Sequence, residues 1–242
     1  MKNSTAYVRG IGWVLPAGVG SGPGICTDAK WLQWKPEDNR QLADFSAKPF
    51  LRSVKGYLDP ASAYLLAASV LALGKNGEQT QPDDPEHVGI STVSRYGATL
   101  SGYRFYDMFV QKGPRLASPL VFPHGYSNTP GNLAAIEFGF GGPHLVLYGK
   151  QDVREAVGFA LTRLAEGSAH TMLVGCYESA EPTVLPDNTP VHNGAVAVVL
   201  CSAESSGCFA RFSREDLWAA DPADRGLGTV HAALALLQAL PV

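Results

Sequence analysis

Charge is scarce in this sequence: Asp, Glu, Lys and Arg make up 17% of its 242 residues and sum to a formal −3. No run of Lys or Arg occurs, so the electrostatic footprint of a nucleic-acid binder is missing and nucleic acid is not an expected partner. Long apolar runs are also absent. A bilayer needs roughly 20 consecutive apolar residues, which excludes a membrane span, and the opening MKNSTAYVRGIGWVLPAG lacks the apolar region of a signal peptide. The expected compartment is the cytoplasm. Cysteine is limited to Cys26, Cys176, Cys201 and Cys208, with no CxxC pair, and Cys201 with Cys208 is spaced wrongly for a zinc knuckle. These read as buried thiols. No cofactor motif stands out: Gly10 and Gly12 start a GxGxxG pattern that fails at Leu15. His124 and His192 lie in turn-rich stretches without a carboxylate or thiol at ligand spacing, so neither a metal nor a cofactor is expected.

What is present is apolar and heavily punctuated. Hydrophobic residues reach 45%, broken by 26 Gly and 17 Pro, the composition of a tightly turned α/β domain. The low charge also suggests surface covered in an oligomer. AYVRGIGWV (6–14) reads as a strand ending in a turn-rich stretch. From Cys26 to Tyr57 the chain is irregular, with Trp31, Trp34, Phe45 and Phe50 expected to pack as a loop over the domain. DPASAYLLAASVLALGKNG (59–77) predicts a helix capped by Asp59, opened by Pro60 and stopped by Gly74 or Gly77; being apolar nearly all round, it should be buried.

Further strands are expected at 86–94, 144–148 and 170–177, and helices at 98–113, 129–142 and 152–167. The stretches 194–202 and 208–213 read as a hairpin pair across AESSG, followed by a terminal helix at 229–240. Strands alternating with helices indicate a mixed sheet covered on both faces. The reading is one domain over 1–242, with 203–242 as a C-terminal extension.

Four stretches carry a resemblance: VRGIGWVLPAG, LDPASAYLLAAS, SNTPGNLAAIEFGFGGP and ALTRLAEGSAHTMLVGCYES. Together they resemble the N-terminal half of the β-ketoacyl synthases, members of the thiolase-like fold. The resemblance implies half of a thiolase-like fold. FGFGG (138–142) is similar to a string in the C-terminal half of ketosynthases, but Pro143 and a strand follow it, so it reads as a helix stop.

In that family the cysteine nucleophile stands eight positions after the Gly-Pro proline. Counting from Pro143 reaches Gln151, and counting back from Gly167 reaches Lys150. Neither side chain can form the covalent acyl-enzyme, which needs a thiolate or alkoxide at the head of the following helix. Cys176, at the end of an apolar strand, reads as an inert thiol rather than a displaced nucleophile. The resemblance places the family's catalytic histidines and lysine in its C-terminal half, which is not expected within these 242 residues.

The sequence is similar in this respect to chain length factors, ketosynthase-like subunits of type II polyketide systems in which glutamine typically replaces the cysteine; a shortened version is associated with aryl polyene clusters. The resemblance implies a non-catalytic subunit that stabilises a heterodimer with an active β-ketoacyl synthase, bounds the acyl chamber and works with acyl carrier protein, in polyketide or fatty acid biosynthesis. It further implies an interface built from His144, Leu145, Val146, Leu147 and Tyr148 with Phe122, His124 and Tyr126, and an acyl pocket near Phe105, Met108 and Phe109. Two alternatives are a ketosynthase-like malonyl decarboxylase and a homodimeric protein binding acyl chains or acyl carrier protein.

Overall fold

The computed structural model describes residues 5–33, 35, 42, 44–52, 56–74, 84–149, 152–180, 190–220 and 226–240. Its frame is a mixed sheet of seven strands: β1 (Thr5–Leu15), β2 (Gly18–Ser21), β3 (Val88–Ser94), β4 (His144–Tyr148), β5 (Thr171–Glu178), β6 (Gly194–Cys201) and β7 (Ala210–Ser213). The order is β2-β1-β6-β5-β3-β4. β3 lies parallel to both β4 and β5, while the pairs β5/β6, β6/β1 and β1/β2 are antiparallel.

Both faces are covered, and the strands' two-residue period separates the two packing layers. On β5, Leu173 and Tyr177 face α1 (Pro60–Leu73) and α3 (Thr129–Phe138), whereas Met172, Val174 and Cys176 join α4 (Arg154–Glu166) and α6 (Thr229–Ala239). α1 begins as expected: the Asp59 carboxylate accepts the Ala61 N–H at 2.8 Å, Pro60 fills the first helical position, and Gly74 follows the last. Phe45, Phe50 and Leu51 pack against this layer, with Phe45 edge-on to Tyr64 at 5.5 Å, so the described part of the irregular segment does lie over the domain; Trp34 and Gly77 fall outside the described residues.

The glycines of β1 are explained by α1. A Cβ on Gly12 would stand 2.2 Å from the Ala68 carbonyl oxygen, and one on Gly10 would be 2.0 Å from that of Ala72. Only hydrogen fits between strand and helix there. A bulge between Val8 and Gly10 turns these glycines toward the helix: Ala6 and Val8 before it, and Ile11, Trp13 and Leu15 after it, all point to the opposite layer.

The expected hairpin of 194–202 with 208–213 does not form. β7 pairs with β1, through Thr5↔Ser213 to Val8↔Ala210. β1 is long enough to carry β6 along one edge from Tyr7 to Val14 while its other edge holds β2 at Gly12–Leu15, which leaves the opening residues for β7. α5 (Arg214–Ala219) follows, opened by a capping box between Ser213 and Asp216. α6 then packs on β5, β6 and β3, burying Val230, Leu234, Leu236 and Leu237. At about 1.5–3 kcal/mol for each large apolar side chain fully buried, α6 is part of the core.

Candidate functional site

The parallel strands β3, β4 and β5 all point their carboxyl ends the same way, and in open α/β sheets that end is where ligand-contacting loops gather. Three connections meet there. Gly149 leaves β4 with φ 74° and donates its N–H to the Ser94 carbonyl at 3.0 Å, a left-handed turn that glycine adopts without strain. The positions read from the sequence as the lost nucleophile, Lys150 and Gln151, come next and lie outside the described residues.

The chain continues with Asp152 at the head of α4. Its carboxylate accepts the Arg154 backbone N–H at 3.0 Å and is paired with the Arg154 guanidinium, Nε at 2.9 Å and Nη2 at 3.0 Å. The guanidinium's hydrogen bonds, before any other influence, hold this carboxyl below its usual range. Arg154 also lies over the Trp218 ring at 5.3 Å. From Asp152 to Ala156 the head of α4 carries no thiol or hydroxyl.

At the carboxyl end of β5 stands a group that the sequence analysis did not single out. Glu178, the last residue of β5, is fully buried. Its carboxylate accepts from the Arg95 N–H (2.8 Å), the Tyr96 N–H (3.1 Å), the Ser94 hydroxyl (3.1 Å), the Thr229 N–H (3.0 Å) and the Thr229 hydroxyl (2.7 Å). Burial pushes its pKa up, against the pull of these donors. One side chain thus ties the loop after β3 and the start of α6 to β5. Gly228 makes room for it: its φ is 92°, and a Cβ there would be 3.2 Å from Glu178 Cγ. A glutamate closing the apolar run MLVGCYE was the available signal, because a carboxylate is buried only where donors surround it.

Other buried polar groups lie nearby. Asp59 joins two helix starts, accepting from Ala61 and from the Ser101 N–H of α2 (Thr99–Lys112), each at 2.8 Å. The Asn193 side chain bridges the N–H and carbonyl of Ala180, both at 2.8 Å. His192 and His231 are buried with ring centroids 6.0 Å apart. Burial, then the neighbouring His231, brings the pKa of His192 down to about 3. Cys176 is buried in an apolar void lined by Val153, Val157, Val174 and Leu237, and burial followed by the Glu178 charge drives its thiol pKa up. A thiol held protonated is no nucleophile.

The side of this site is an open sheet edge. β4 pairs only with β3 among the described strands, leaving its other edge without a strand. His144 and Tyr148 are exposed, while Leu145, Val146 and Leu147 are half-buried. Val146 leans on α3, its Cγ2 3.0 Å from where a Cβ on Gly131 would stand, and Leu147 packs against the α4 layer. Tyr148 is brought next to the 119–131 segment: a Cβ on Gly97 would touch both the Tyr148 ring and Ser127.

Phe122 and Tyr126 stand in that segment with rings 5.0 Å apart, and Phe105 of α2 meets Phe122 at 4.9 Å. Phe105, Phe122 and Tyr126 thus form a chain of ring contacts, while on α2 Met108 is half-buried and Phe109 exposed. Partial desolvation lowers the pKa of both His124 and His144, and His144 remains open to solvent. Tyr103, Tyr106 and Val110 of α2, Leu116, Leu120 and, on α3, Ile136 are also exposed.

No protein-family model matches the sequence, and no curated protein matches it. Solved structures do match in shape. The ishigamide ketosynthase/chain length factor superimposes with a TM-score of 0.66 at 19% identity, over 84% of this chain and 64% of that one. A type II polyketide synthase acyl-carrier protein in complex with its ketosynthase bound to the hexaketide gives 0.62 at 19%, over 81% and 62%. A β-ketoacyl synthase from Burkholderia phymatum STM815 gives 0.58 at 17%, over 83% and 59%. The fold is thus the thiolase-like fold of ketosynthases and chain length factors. The chain spans 59–64% of the length of these structures.

Proposed function

We propose that this chain is a non-catalytic, chain-length-factor-like partner of an active β-ketoacyl synthase, working with acyl carrier protein in polyketide assembly. The observation that carries it is the sequence between β4 and α4: Gly149-Lys150-Gln151-Asp152-Val153 offers no thiol or hydroxyl to take an acyl group. A carboxamide or an ammonium group cannot form the thioester intermediate. The nearest thiol along the sheet, Cys176, is sealed in the core. The aromatic surface beside the β4 edge supports the second half of the reading, because an unpaired edge flanked by exposed rings is suited to a partner. In this reading the chain bounds the acyl chamber from its side and leaves the chemistry to the partner. An aryl polyene ketosynthase is the first partner to try, since the sequence is similar to the shortened subunits of those systems.

Mass spectrometry after incubation with acyl carrier protein thioesters tests the absence of chemistry. The isolated chain is expected to keep its unmodified mass while an active ketosynthase gains a stoichiometric acyl adduct. An adduct on this chain, on Cys176 or any other residue, overturns the proposal.

A further inference from the structure

At the opposite end of the sheet, three side chains of metal-ligating type converge. Asp84, His87 and His170 offer ligand atoms that all lie within 4.8 Å of one another. The Asp84 carboxylate is 2.8 Å from His87 Nδ1, and the His87 and His170 rings are nearly parallel, 14° apart with centroids 4.8 Å apart. Spacing along the chain hides the group, because His170 stands far in sequence from the other two.

The backbone beneath is fixed. His87 and His170 immediately precede the parallel strands β3 and β5, in register through Val88↔Thr171. The His170 N–H donates to the His87 carbonyl at 2.8 Å, and the His170 carbonyl accepts the Ser202 N–H at 3.0 Å. The two imidazoles are therefore held side by side by the sheet, and only their half-exposed side-chain torsions remain to be set.

We propose that Asp84, His87 and His170 form a site for one divalent transition-metal ion. Two imidazoles and one carboxylate select zinc, nickel or copper(II) over calcium or magnesium, which take oxygen donors. Ligands about 2.0–2.1 Å from such an ion stand about 3 Å apart when adjacent. The Asp84–His87 pair meets that spacing already, and His170 closes the rest by side-chain rotation. Water fills the remaining positions, since the site is open to solvent. The site lies away from the bend after β4, so the ion clasps the starts of β3 and β5 and stabilises the sheet; it takes no part in acyl chemistry.

Isothermal titration of Zn2+ into tag-free protein tests this, with Ni2+ in parallel. The expected result is saturable binding of one ion per chain. It should weaken at least about tenfold in His170→Ala, in His87→Ala and in Asp84→Asn, and be unchanged in Cys208→Ser, which removes the half-exposed thiol. Zinc should also raise the thermal midpoint of the parent, reversibly with EDTA, and not that of His170→Ala. All three side chains are at least partly exposed, so the variants should stay folded, and Asp84→Asn keeps an acceptor for His87 should either alanine variant fail. Binding no tighter in the parent than in the His87→Ala/His170→Ala double variant, or binding lost with Cys208, overturns the proposal.

Discussion

His192 shows how one side chain links packing to pH. Its pKa is down to about 3 because its ring is buried and faces the buried ring of His231. An unfolded histidine titrates near 6.5. Between pH 6.5 and 3 the unfolded chain therefore holds a proton on this residue that the folded chain does not. Stability from this group is full above about pH 6.5 and falls as the pH drops, by up to about 1.4 kcal/mol per pH unit. Glu178 works the other way: its raised pKa means that the folded state holds its proton more tightly than the unfolded state, favouring the fold as pH falls. Comparing urea unfolding of the parent with His192→Gln from pH 7.5 to 5 isolates the histidine. The parent's stability relative to the variant should decline over that range; a constant difference would mean that His192 titrates alike in the folded and unfolded chain.

At the scale of elements, the contact between β1 and α1 is set by hydrogen atoms. Gly12 faces Ala68, and the residues of β6 on that layer are Ala195, Ala197, Val199 and Cys201, all small enough to let the helix close on the sheet. A methyl at Gly12 would stand 2.2 Å from a backbone oxygen, which cannot rotate away as a side chain can. Gly12→Ala should cost about 3 kcal/mol through displacement of α1, seen as a lower thermal midpoint; a shift below a degree would show that the helix moves freely. The two glycines stood out in the sequence, and their role was set by a helix that starts nearly fifty residues later. The same holds for β7, whose partner is chosen by which edge of β1 remains open.

At the scale of the whole molecule, the two ends of β3, β4 and β5 and their open side divide the work. At the carboxyl ends Glu178 ties the loop after β3 and the start of α6 to β5, and the side presents β4 with its aromatic surroundings. In the proposed heterodimer this side meets the ketosynthase. Tyr148, 55% exposed at the end of β4, reports on that contact better than Val146, which rests on α3. Tyr148→Lys should remain folded by circular dichroism while losing the ketosynthase partner in co-purification. An unpaired charge in a buried contact costs several kcal/mol, and about 2.8 kcal/mol already means a hundredfold weaker complex. Undiminished co-purification would move the contact elsewhere.

The sequence by itself determined the features that depend on neighbours along the chain. The capped, apolar α1 follows from Asp59, Pro60 and the run after them. The alternation of strand and helix, the ketosynthase-like order of elements and the missing thiol after Gly149 were legible in the same way, because turn residues, caps and periodicity act over a few positions. Only the tertiary structure decided which distant groups meet. Glu178 became a hub when the loop after β3 and the start of α6 converged on it, β7 was drawn to β1 rather than to β6, and His170 was laid beside His87 by strand register. A buried carboxylate, a strand edge and a ligand cluster are each defined by partners brought together through the packing of the whole sheet; a local pattern, such as the glutamate that closes MLVGCYE, marks a member but not its partners.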